Sequence, residues 1–151
     1  MKTKTEKALI QELKYIAGNL ANSEEHLLET ARKAQSKEDK IKYLKLAHSA
    51  RLVRTEVMKE MLFGGKEIDL SDERKRTKFG ELWCDIKHKL ISNIHFIESI
   101  EKLVSLGNFD KALELLELWD LNEKQLDIAI AEIIRLAGGE DESAGESNEN
   151  A

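Results

Sequence analysis

The chain has 151 residues, 35% of them charged, with no Pro, one Cys and a formal net charge of −5. No apolar run approaches the ~20 residues of a membrane span, and a single Cys excludes an intramolecular disulfide framework or a multi-Cys zinc site. The basic start, Lys2 to Lys7, leads into mixed sequence rather than an apolar core, which predicts no signal peptide and a cytoplasmic chain.

The first predicted helix runs from about Thr5 to Gln35. Leu9, Leu13, Ile16, Leu20, Leu27, Ala31 and Ala34 form its apolar stripe, widened by Ile10, Ala17, Ala21 and Leu28. Gly18 inside it costs about 1 kcal/mol against Ala, which points to a close helix crossing or a bend.

Ser36 is an N-cap for the second helix, which runs to about Phe63 and is stopped by Gly64-Gly65. Its apolar residues cover most of the circumference, from Ile41 to Leu62. A helix apolar on most sides touches more than one neighbour, so it is expected centrally or at an oligomer interface. Val53, Val57 and Met61 are the interface candidates on it.

Ser71 is the expected N-cap of the third helix, which extends to about Leu106 with a core stripe from Phe79 through Leu90 and Ile94 to Val104. Gly107-Asn108 stops it and caps the fourth, from Phe109 to Gly138-Gly139. Phe109, Ala112, Leu116, Trp119, Leu126, Ile130 and Ile133 keep one register there. Glu123 breaks that register, so a kink near Leu121 is allowed for.

Short connections between long helices predict antiparallel neighbours. The expected fold is therefore all-α: an elongated up-down antiparallel four-helix bundle over residues 1–137. Residues 138–151 carry five acidic and no basic residues and nothing apolar larger than Ala, the composition of a disordered acidic tail. The segment from Leu106 to Leu116 resembles the turn of a tetratricopeptide-type helix hairpin. No second copy occurs at a period near 34, so it reads as a generic antiparallel hairpin.

Chemistry-bearing residues gather on the third helix. Cys84, His88, Ser92, His95 and Ser99 follow at steps of four, four, three and four, forming one polar, mostly uncharged strip. Asp85 with His88, His95 with Glu98 and, on the first helix, His26 with Glu29 are i, i+3 pairs, with Glu25 adjacent. That spacing puts imidazole and carboxylate on one helix face, a donor set suited to iron, manganese or zinc. Against a metal centre, the bundle motif of such proteins runs Glu-x-x-His, and no His here has a Glu three residues before it. An uncharged strip also suits a protein interface, so Cys84, Ser92 and Ser99 join the interface candidates. Cys84 lacks identifiable oxyanion donors for a thiolate nucleophile, and His48 among apolar neighbours reads as a core or boundary histidine.

Without the tail the body is neutral, a poor match for a phosphate backbone. Arg74, Lys75, Arg76 and Lys78 nevertheless form a basic cluster, which keeps an RNA-associated subunit as an alternative. The leading expectation is a non-enzymatic interaction or assembly module, a homo-oligomer or the companion of another protein. A metal-dependent bundle protein is the first alternative.

Overall fold

The structure, a computed structural model, describes residues 2–138. Four helices occupy most of that length: α1 (Lys4–Lys33), α2 (Lys37–Phe63), α3 (Glu73–Ser105) and α4 (Phe109–Ala137). No strand occurs among the described residues, and none of the helices is long and apolar enough to cross a membrane. The acidic tail expected over 138–151 lies, from residue 139 onward, outside the described residues.

Each helix starts where a side chain takes up the first free N–H groups. Thr3 Oγ1 accepts from the Glu6 N–H at 3.1 Å, and Glu6 Oε2 accepts from the Thr3 N–H at 3.0 Å, a reciprocal capping box. Ser36 caps α2 through the Asp39 N–H, and Asn108 caps α4 through the Lys111 N–H. At α3 the expected cap is displaced by one residue. Asp72 Oδ1 accepts from the Arg74 and Lys75 N–H groups, and in the turn before it the Ser71 N–H donates to Asp69 Oδ1. The stops follow glycine: Gly64 and Gly107 have φ of 58° and 73°, the left-handed region that closes a helix.

Links of a few residues fold α1 onto α2 and α3 onto α4 as two antiparallel hairpins. The two hairpins meet chiefly through α1 and α3, with a slight contact between α2 and α4. The helices lying between neighbours are therefore α1 and α3, and of the two places expected for α2 the central one is not where it sits. Much of that arc faces outward: Ile41, Leu44, Leu46, Leu52 and Val53 are exposed.

The crossing of α1 over α3 depends on Gly18. A Cβ at that position would lie 2.6 Å from the carbonyl oxygen of Leu90 and 3.1 Å from Ile94. Small residues beside it, Ala17 and Ala21, are buried, while Leu9 and Ile16 are exposed. The buried face of α1 is thus rotated away from its row of large side chains, because only small ones fit so near a neighbouring backbone.

The main core fills one half of the molecule. Ala17, Met58, Met61, Leu62, Ile86, Leu90, Leu126 and Ile133 form it, with Phe79 and Trp83 packed alongside. Met61, an interface candidate by sequence, is only 3% exposed and belongs to this core. The Phe63, Phe79 and Trp83 rings stack in series at 5.7 and 6.0 Å, pinning the end of α2 to the start of α3.

Glu123, the break in the α4 register, is used inside. Lys14 Nζ donates to Asp127 Oδ1 at 3.0 Å and lies 3.6 Å from Glu123 Oε2. Asn93 Nδ2 donates to Glu123 Oε1 at 2.6 Å, and Asn122 Nδ2 donates to Asn93 Oδ1 at 2.7 Å. This network ties α1, α3 and α4 in one register, and α4 continues through Leu121 without a break.

Candidate functional site

The polar strip on α3 lies on the outside of the bundle. Cys84, His88, His95 and Ser99 are exposed and Ser92 is half-buried, its hydroxyl donating to the His88 carbonyl at 3.0 Å. Asp85 faces Lys89 at 2.5 Å rather than His88. His95 Nδ1 stands 4.0 Å from Glu98, and both are open to solvent. On α1, His26 is exposed and its carbonyl accepts from Thr30. Among the described residues, no three of His, Cys, Asp and Glu come together as a group able to hold a metal ion. The candidate ligands thus remain separate pairs on two helices.

Glu29 is moreover committed to cations of its own helix. Arg32 pairs with it through both oxygens and Lys33 lies 3.5 Å away. The Arg32 hydrogen bond, ahead of its charge and that of Lys33, lowers the Glu29 pKa from 4.5 to about 2. A depressed folded-state pKa adds stability that is present above the unfolded value and lost as pH falls through the folded one. In Arg32→Ala the Glu29 carboxyl is expected to titrate back near 4.5 by carboxyl NMR, and the extra acid sensitivity between about pH 4.5 and 2 should vanish. An unchanged titration in that variant would show that the pair does not form.

The basic cluster at the start of α3 is partly structural. Arg76 Nη1 donates to the Leu70 carbonyl at 3.2 Å, fastening the connection between α2 and α3. Beside it an open cleft of about 720 Å³ is walled by Phe63, Phe79 and Trp83 and rimmed by Arg51, Lys59 and Lys66, with Glu56, Glu60 and Glu67 interleaved. The mixed rim gives no single-sign field to attract a polyanion.

The most distinctive surfaces are the far ends of the two hairpins, beyond the core. α1 and α3 run in the same direction from their crossing, so both tips lie at the same end of the molecule. Beyond the crossing, positions that helical periodicity puts on the meeting sides of α1 and α3 are open to solvent. Leu28 and Val104, on the inward sides of α1 and α3, are 45% and 44% exposed, and Glu25, Arg32, Glu98 and Glu101 are exposed beside them. Phe109, Leu113 and Leu116 recur at i, i+4 and i+7 on α4, and the first two are 59% and 60% exposed. Leu46 and Val53 recur at i and i+7 on α2. The hydrophobic period in the sequence put Phe109 and Leu116 in one stripe with the core, and it did not show that they lie exposed. Val57, packed against the core, and Met61 within it mark where α2 passes from tip to body.

Comparison of the chain with protein-family models, with curated proteins and with solved structures gives no match, so its functional reading rests on its own geometry.

Proposed function

We propose that the chain is a non-enzymatic helical assembly module that binds protein through the tips of its two hairpins. The observation carrying this reading is the solvent-facing apolar stripe of Phe109, Leu113 and Leu116, joined at the hairpin turn by Leu106 at 80% exposure. Single exposed apolar residues are ordinary, but clustered ones of this size mark surfaces that another molecule covers. Val53 and Leu46 supply a comparable, smaller stripe on the other tip.

Exposed positions can be made polar without loss of fold, which makes the reading testable. Phe109→Glu with Leu113→Glu, and separately Val53→Glu, are expected to leave helical content and unfolding midpoint within about 0.5 kcal/mol of wild type. The same substitutions should reduce the mass of the assemblies measured by light scattering, or release protein partners that copurify. A chain that keeps the same mass and the same partners in all these variants would overturn the reading.

A further inference from the structure

The two tips differ in charge. Beyond the Glu24–Arg54 ion pair, residues 25–53 of the first hairpin carry seven basic and four acidic residues. Beyond the Asn93–Asn122 hydrogen bond, residues 94–121 of the second carry two basic and six acidic residues. Among the described residues, Lys37, Lys42 and Lys45 on the first tip have no carboxylate within ion-pair distance. Neither do Glu101, Asp110 and Glu117 on the second have a cation. Each apolar stripe is bordered by these unmatched charges: Lys42 lies one turn from Leu46, and Glu117 one turn from Leu113. One chain thus carries both halves of a complementary pair, on separate prongs that do not cover each other.

We infer that the occupant of each tip is a second copy of this chain, the basic α1–α2 tip of one protomer lying along the acidic α3–α4 tip of the other. The inference rests on the assembly reading above and names its partner. Prongs at one end of the molecule, of opposite charge, can meet reciprocally across a twofold axis, which closes the assembly at two copies. From Gly18 to Lys33, and from Leu90 to Ser105, each prong rises about 22 Å. Two contacts of that length and one helix diameter wide bury on the order of 1,000 Å² in total, the lower bound for a specific pair. The charges steer and register the encounter, while the covered Leu, Val and Phe side chains supply the attraction.

Charge reversal tests this with the full chain. Lys37→Glu, Lys42→Glu and Lys45→Glu make both tips acidic. Glu101→Lys, Glu114→Lys and Glu117→Lys make both basic. All six side chains are exposed, so both variants are expected to fold, with circular dichroism as the check. Wild type should run at twice the chain mass by light scattering, with its dissociation constant rising about tenfold or more between low salt and ~0.5 M salt. Each variant alone should be a monomer, and an equimolar mixture should regain twice the mass. Variants that stay dimeric alone, or a mixture of folded variants that stays monomeric, would overturn the pairing. A wild type that is monomeric at every concentration would overturn it too, showing that the tips close on each other within one chain or take a different protein. In that last case the Phe109→Glu, Leu113→Glu variant separates the two failures: lost capture of another protein preserves the assembly reading, and unchanged capture ends both.

Discussion

Gly18→Val is expected to destabilise the chain by about 3 kcal/mol, lowering the thermal midpoint by roughly 12 °C. The reason is the nature of the neighbour. A Cβ at Gly18 meets the Leu90 carbonyl oxygen at 2.6 Å, and that oxygen belongs to helical backbone that cannot turn aside as a side-chain end would. The helices must therefore separate, which opens the packing of Ala17 and Ala21 against α3. Gly18→Ala should cost less, about 1 kcal/mol, since the gain in helix propensity offsets part of the clash. Gly80 supplies the opposite case: it is helical, and a Cβ there meets nothing within 4 Å. Gly80→Ala should stabilise by up to about 1 kcal/mol. Urea unfolding of the three variants checks the set. A wild-type midpoint in Gly18→Val would show that α1 and α3 do not approach this closely. The crossing also sets how the two hairpins sit against each other, so the same substitution should alter self-association more than Gly80→Ala does.

Local signals placed the elements well because they act locally. Ser36 and Asn108 cap the helices expected of them, and Gly64 and Gly107 stop α2 and α3 through a positive φ. Ser71 was misread because Asp72, one residue on, is an equally good capping type, and its carboxylate takes the Arg74 and Lys75 N–H groups. Burial was harder to read, since it depends on which neighbour arrives. α1 advertises Leu9 and Ile16 yet buries Ala17 and Gly18, because the close approach to α3 selects size over hydrophobicity, and it buries Lys14 because Glu123 and Asp127 of α4 pair with it. Glu123 looked like a break in α4 because its partners Lys14 and Asn93 come from helices 109 and 30 residues away in sequence. The histidine and carboxylate pairs were visible at i, i+3, but the pattern fixes only their shared face. It does not say which way that face points, and on α3 it points to solvent. Phe109 and Leu116 were written in the sequence as apolar residues in register with the core. That they lie open depends on how the two hairpins pack, which no single-helix pattern encodes.

Arg54→Ala is expected to destabilise by about 3 kcal/mol or more. Arg54 is 3% exposed, its Nε donates to Glu24 Oε2 at 2.9 Å, and its Nη1 lies 3.6 Å from the Met58 sulfur. Removing it leaves the mostly buried Glu24 carboxylate without its cation and opens a void beside Met58 at the edge of the core. The two costs can be separated. Arg54→Met fills most of the volume but still strands Glu24, so it should recover only part of the loss. Arg54→Met with Glu24→Leu removes the stranded charge as well, and should return to within about 1 kcal/mol of wild type or exceed it, since apolar pairs of similar volume replace buried ion pairs at little cost. Double-mutant unfolding in urea gives the coupling directly. Additive effects would mean that the pair contributes nothing in solution. Strong coupling would identify it as the clamp that holds α2 to α1 where the core ends and the basic tip begins. The double replacement should then leave self-association intact, because neither side chain lies on the tip surfaces.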